Sequence, residues 1–331
     1  MKDSAKLYCL MGCVSFFLIT SCYQKKTSED IANADAEVKK TLELFQHEDL
    51  WQAPDTLLIP MNDSGKMIHY GRSLIANTTS YFGPSGSLGQ FTNGMNCQNC
   101  HLDAGTKPFG NNYSAVASTY PKFRARSGSI ESIEKRINDC IERSLNGKPI
   151  DSTGREMKAI VSYMRWLGKN VNKGEVPKGA GLAELPFLTR AADPAKGKSV
   201  FEIKCVSCHG SDGQGKWYAD NKSYQYPPLW GPNSYSTGAG LFRLSRFAGY
   251  VKINMPFVSS RTNPPLTNEE AWDVAAFVNS MDRPGKDISK DWPDISKKPF
   301  DHPFGPYADK NNETQHKFGP FIEMASAKKK K

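Results

Sequence analysis

The sequence predicts a mainly α chain of two domains followed by a long irregular C-terminal tail, and three observations carry that reading. The run Cys97-Gln98-Asn99-Cys100-His101 returns as Cys205-Val206-Ser207-Cys208-His209, within 331 residues, a length that suits two ordinary domains. Apolar residues around and between the two copies recur at helical intervals of three and four. The stretch beyond Met281 is rich in Pro, with scattered Trp, Phe and Tyr and no periodicity. At about fifty residues it is long for a loop and suits a tail wrapped over the folded domains.

The repeated motif has a specific chemistry. Cys-x-x-Cys-His is the spacing that attaches a c-type haem. Each thiol adds to one vinyl group of the porphyrin, and the histidine is held under the iron as its proximal ligand. A structural zinc site would need four ligands in one compact unit, and a thioredoxin-like dithiol would need a βαβ pattern that neither copy shows. Two covalently bound haem c groups are therefore expected, one on Cys97 and Cys100, the other on Cys205 and Cys208. His101 and His209 are the expected proximal ligands.

The elements follow in chain order. Lys2 and Lys6 precede an apolar run from Leu7 to Ile19, closed by Ile19-Thr20-Ser21-Cys22. That is the layout of a secretory signal, and its ending resembles the lipobox of bacterial lipoproteins. The resemblance implies a signal over 1–21, cleavage before Cys22, a lipid on that thiol, and a place on the periplasmic side of a bacterial membrane. No later stretch is long and apolar enough to cross a bilayer, so the lipid is the only expected membrane contact. Residues 22–60 read as a tether and leading helix, with Val38, Leu42 and Phe45 as its apolar positions.

The first domain is read over 61–175. Met67, Tyr70 and Leu74 have helical spacing, and a Gly- and Ser-rich loop from Gly83 to Gly94 delivers the chain to Cys97. A helix shortly before Cys-x-x-Cys-His resembles the opening of a cytochrome c domain. Ile130, Ile133, Ile137, Ile141 and Leu145 predict one further helix, stopped by Gly147 and Pro149, and Ile160, Val161, Met164 and Leu167 predict another. Residues 176–192 form the linker. The second domain, 193–283, repeats the layout: Asp193-Pro194 opens a helix, with proline where its missing N–H costs nothing. Thr267-Asn268-Glu269-Glu270 is a capping box for the closing helix. Both units thus read as cytochrome c-like domains, and the tail is 284–331.

The cysteines single out one residue. Of eight, Cys9 and Cys13 fall in the signal, Cys22 takes the lipid and four hold haem, which leaves Cys140. An unpaired thiol in an oxidising compartment is a liability unless something binds it. The net charge is +9. Export and the absence of any nucleic-acid motif argue against nucleic acid, so a small anionic substrate or an acidic redox partner is the better inference.

The occupant of each second axial position decides what each iron does. For the second haem, Met255 before Pro256 is the expected ligand; the other downstream methionines are Met281 and Met324. A His/Met haem has a raised potential and suits electron transfer. For the first haem the candidates are Cys140, Met157 and Met164. Cys140 lies one step from the isoleucine stripe, among Arg136 and Arg143 and after Lys122, Arg124 and Arg126. Clustered cations favour the thiolate, which is the ligand form.

Two such motifs, a lone cysteine after the first, Arg126, Arg136, Cys140 and Ser144 at these intervals, and the segment Pro227-Pro228-Leu229-Trp230-Gly231 together resemble the dihaem thiosulfate dehydrogenases, over roughly residues 60–285. The resemblance implies that two thiosulfates are joined to tetrathionate with release of two electrons, reversibly in some members. It also implies that Cys140 ligates the first, active-site iron while Arg126, Arg136 and Ser144 line an anion pocket. Some relatives carry a lysine immediately before the ligand methionine and can exchange the two; Asn254 stands there in this chain, which removes that exchange. The physical case agrees. Two dianions must meet sulfur to sulfur, and arginine supplies fixed planar donors for their sulfonate oxygens. A soft thiolate beside them could also act as nucleophile.

Electrons would leave to a soluble or membrane-bound redox partner such as another cytochrome c. Two other readings share these motifs: a dihaem electron-transfer subunit of another dehydrogenase, and a cysteine-haem cytochrome of the sulfur-oxidising multienzyme system. The first gives no role to Cys140 or its arginines.

Overall fold

The computed structural model describes residues 49–257 and 264–329, so the signal, Cys22 and the positions Val38, Leu42 and Phe45 lie outside the described residues. The fold is mainly helical. Its principal helices are α1 (Asp63–Ala76), α2 (Ile133–Ser144), α3 (Arg155–Leu167), α4 (Pro194–Lys204), α5 (Leu244–Asn254) and α6 (Asn268–Ser280). Among the described residues, no helix is long and apolar enough to cross a membrane.

The two halves are built on one device: the helix before each Cys-x-x-Cys-His crosses the last helix of its half through a glycine. In the first half α1 begins where the Asn62 side chain accepts from Gly65 N, and it buries Ile68, Leu74 and Ile75 against α3. The helices are closest at Gly71, where a Cβ would lie 2.0 Å from the Ala159 carbonyl oxygen. In the second half Asp193 caps α4 by accepting from Ala195 N and Lys196 N, with Pro194 in the first turn. The Thr267/Glu270 capping box starts α6. There a Cβ at Gly197 would lie 1.9 Å from the Asp273 carbonyl oxygen. Only a residue without a side chain allows either approach.

One expectation fails locally. Ile130 belongs not to α2 but to a hairpin of β1 (Lys122–Arg124) and β2 (Ser129–Glu131), paired Lys122↔Glu131, Phe123↔Ile130 and Arg124↔Ser129. The helix starts only at Ser132, whose hydroxyl accepts from Lys135 N. Ile130 faces outward, 74% exposed, while Ile133, Ile137 and Ile141 are buried.

The tail is less irregular than its composition suggests. It ends in α7 (Glu313–Phe318), opened by an Asn312/Gln315 capping box, and α8 (Ile322–Lys329). It touches both halves. Trp292 N donates to the Arg126 carbonyl at 2.7 Å, and Asp291 accepts two bonds of 2.7 Å from Arg143. Asp301 accepts from Arg243 Nε at 2.9 Å, and Phe300 and Phe321 pack against Phe187 near Trp272. Each of these contacts joins residues distant in sequence and ties the tail down.

Candidate active site

Both motif turns place their two cysteines and histidine through local backbone bonds. His101 N donates to Cys97 O at 2.9 Å and His209 N to Cys205 O at 3.0 Å. The first turn is also held from α1's side, where Thr78 Oγ1 accepts from Cys97 N at 2.9 Å. Each imidazole is oriented by a backbone carbonyl: His101 Nδ1 donates to Asn111 O at 2.5 Å, and His209 Nδ1 to Pro227 O at 2.9 Å. A carbonyl can only accept, so Nδ1 carries the proton and the Nε2 lone pair is left for a metal. Tyr113 stacks on His101 with centroids 4.5 Å apart.

The second motif faces a cavity of about 500 Å³ at the seam between the halves, lined by Cys205, Cys208, His209 and Met255 from one side and Cys100 from the other. Met255 follows directly on the end of α5. Met281 and Met324 do not line this space; Met95, two residues before the first motif, does. Two thiols, an imidazole and a thioether around a largely apolar cavity fit a covalent haem with His/Met ligation. The Tyr250 hydroxyl donates to Asn99 O at 2.8 Å, inside the first motif, and Asn254 Nδ2 donates to Phe109 O at 3.0 Å. Asn254 is thus an inter-domain fastening.

At the first motif, α2 brings its residues in by helical periodicity. Arg136, Cys140 and Ser144 are spaced by four and form one stripe, while the neighbouring Ile133, Ile137, Ile141 stripe is buried in the core. Met157 and Met164, the other candidates for this iron, are buried in the core around α3. Cys140 interacts directly with the His101 imidazole. The donor set of Cys97, Cys100, His101 and Cys140 fits a covalent haem with a thiolate on the iron.

The acidity of the thiols separates their roles. Burial pushes Cys97 up to about 11, Cys100 to about 12 and Cys205 to about 11, so the surroundings of these three do not favour a thiolate. Burial pushes Cys140 up as well, but its neighbouring cations, the Arg136 guanidinium first and then Arg126, oppose it, and the thiol comes down to about 6. The cations around Cys140 thus favour the thiolate, the form in which a cysteine ligates iron.

The surrounding cations differ in how far they are engaged. Arg126 Nη2 lies 3.2 Å from Asp139 Oδ2, and Arg143 is held by Asp291. Arg124 Nε lies 3.8 Å from Glu131 Oε2. Arg136 is half-buried, and its charge is reinforced first by the Cys140 thiolate. Ser144 is half-buried, one turn past Cys140. The structure therefore gathers Arg126, Arg136 and Cys140 at His101 and leaves Ser144 on the same stripe. What sequence reasoning missed are the groups that reach the site from a distance: Tyr113, the Asn111 carbonyl, Tyr250 and Asp291. Nothing local marks them.

Residues 89–172 match the family model described as SoxA/TsdA, cytochrome c domain, and residues 194–282 match the cytochrome c model. The chain is 36% identical over 236 residues to a thiosulfate dehydrogenase of Allochromatium vinosum, covering 70% of this chain and 83% of that protein. It is also 36% identical over 241 residues to one of Psychrobacter arcticus, covering 72% and 71%. Among solved structures it resembles the as-isolated thiosulfate dehydrogenase (TsdBA) of Marichromatium purpuratum, with a TM-score of 0.66 and 29% identity. That likeness covers 72% of this chain and 50% of the solved one.

Proposed function

This chain belongs to the thiosulfate dehydrogenase family of dihaem c-type cytochromes, and on that premise we propose that it joins two thiosulfates into tetrathionate at Cys140, with the reverse reduction open to the same site. In the forward direction one S–S bond forms between the terminal sulfurs, no bond breaks, and two electrons leave. When bound, the two haems supply one-electron acceptors, the first held by Cys97, Cys100, His101 and Cys140, the second by Cys205, Cys208, His209 and Met255.

The observation that carries this reading is the single stripe of Arg136, Cys140 and Ser144 along α2 beside the first motif, where neighbouring cations lower the Cys140 thiol. Arg136, half-buried beside Cys140 and unpaired with any carboxylate among the described residues, is placed to take a sulfonate. Arg126 is the second cation, and the Ser144 hydroxyl is a further donor. Together they offset the repulsion between two dianions. The thiolate would serve as ligand to the iron of a bound haem, and a thiolate is also a competent nucleophile toward sulfur.

Tyr250 and Asn254 hold α5 against the first motif, so the Met255 site stays fixed next to the first. Electrons would pass from there to an external redox partner such as another cytochrome c. We further propose export to the periplasmic side with a lipid at Cys22. The experiment is to add thiosulfate to oxidised, haem-loaded protein and follow the Soret band while assaying products. Reduction with tetrathionate formation supports the reading. Protein that stays oxidised fits a plain electron carrier, and a protein-bound sulfur product points to the multienzyme type.

A further inference from the structure

We propose that Lys122 and Arg124 on β1 form a second sulfonate subsite, which holds the far end of tetrathionate or the second thiosulfate while Arg136 holds the first. This rests on the proposed reaction and extends its site.

The hairpin makes the arrangement. Lys122 and Arg124 are two apart on one strand, so their side chains share a face, and both are half-buried. Phe123 between them points out, 55% exposed, beside the equally outward Ile130. Directly across the ladder from Lys122 stands Glu131, 1% exposed. Neither Glu131 oxygen has a hydrogen-bond partner, and its contact with Arg124 Nε is loose at 3.8 Å.

That contact engages only the Nε edge of the guanidinium. Arg126, Arg143, Arg190 and Arg243 all donate hydrogen bonds to carboxylates. Arg124 and Arg136 make no such bond among the described residues. A buried carboxylate behind Arg124 fixes its position without consuming the terminal nitrogens, which suit the oxygens of a sulfonate.

The cluster is continuous with the site. Lys122 is held below its ordinary value by burial and by the charges of Arg124 and Arg136. Tyr120 adjoins the same set: burial raises its hydroxyl, while Arg124 and Arg136 oppose that and Cys140 adds to it. From the second half, Arg246 on α5 is lowered first by burial and then by Arg243 and Arg124. Like charges gathered this closely repel one another, and a dianion with two separated sulfonates relieves that repulsion.

The subsite separates two ligands. Tetrathionate has a sulfonate at each end and needs both positions, whereas one thiosulfate needs only the position at Arg136. Tetrathionate is titrated calorimetrically into oxidised haem-loaded protein and thiosulfate into reduced protein, where no electron transfer can follow. Arg124→Gln should weaken tetrathionate binding roughly tenfold to hundredfold, the loss of one charge-assisted hydrogen bond, and change the affinity of the first thiosulfate to bind, the one at Arg136, less than about threefold. Lys122→Gln should act in the same direction, Arg124→Lys should recover part of the affinity, and the exposed Lys158→Gln should do nothing. In steady state, Arg124→Gln should raise KM for thiosulfate while leaving kcat nearly intact.

Wild-type tetrathionate affinity in both Arg124→Gln and Lys122→Gln overturns the proposal. So does an equal loss for tetrathionate and for the first thiosulfate together with a lower unfolding temperature, which would make Arg124 only the structural partner of Glu131. Wild-type protein that binds neither ligand would instead sink the thiosulfate reading itself.

Discussion

Arg136 stands one helical turn before Cys140 on α2, and each stabilises the charge of the other: the guanidinium lowers the thiol, and the thiolate raises the guanidinium. Arg126 lacks that reciprocity, because Asp139 already occupies it at 3.2 Å. Arg136→Gln is therefore expected to cost more turnover than Arg126→Gln. A charged hydrogen bond is worth about 1.5–3 kcal/mol, so roughly a tenfold to hundredfold fall in kcat/KM is expected for Arg136, with Arg126 at the lower end. Ferricyanide-coupled thiosulfate oxidation measures both, and a ranking the other way would move the anion to Arg126.

Met255→Gly should keep both haems covalently attached, since Cys205 and Cys208 are untouched, yet lose the His/Met absorption band and lower the second haem's potential. Potentiometric titration of the variant checks this. Survival of the band would shift ligation to another methionine, Met95 being the other one that lines the cavity.

The glycine crossings predict matched losses of stability. Gly71→Ala and Gly197→Ala each place a Cβ about 2 Å from a carbonyl oxygen, and overpacking of this kind costs about 1–3 kcal/mol or more. Each variant should lower the thermal unfolding temperature of haem-loaded protein. The same substitution at Gly174, where a Cβ would meet nothing within 4 Å, should cost less; its positive φ makes that comparison a conservative one.

His302 in the tail predicts the pH dependence of stability. Burial, and then the Lys298 charge, lowers its pKa to about 4 from an ordinary 6.5. The unfolded chain therefore takes up a proton in this window before the folded one does. Its contribution is complete above about pH 6.5 and is lost as pH falls toward 4. At about 1.4 kcal/mol per pKa unit the loss reaches a few kcal/mol. His302→Gln should flatten the fall in unfolding temperature between these values, and an unchanged slope would remove His302 as its cause.

The helices were legible where the signal was local. Pro194 after Asp193, the Thr267/Glu270 box and the isoleucine stripe of α2 each carry their own boundary or face. Ile130 misled because its spacing to Ile133 matches a helix, while Ser132, the cap between them, marks the break. The Asn312/Gln315 box could have revealed α7 in the same way. At the site, Cys140 stood out by cysteine arithmetic, and Arg136 by the charge gathered on its helix and by the resemblance to the dihaem thiosulfate dehydrogenases. Glu131's burial and the Arg143–Asp291 pair depend on contacts between distant segments, and no local pattern encodes those.

The central claim is that the Cys140 thiolate, not merely a haem beside it, carries thiosulfate chemistry. The most direct measurement is steady-state thiosulfate oxidation by Cys140→Met, on protein shown to hold two haems. Methionine can ligate iron but cannot be a thiolate. Full haem content with nearly all turnover lost is the predicted result. Wild-type turnover in that variant would contradict the account and leave the chain an electron carrier.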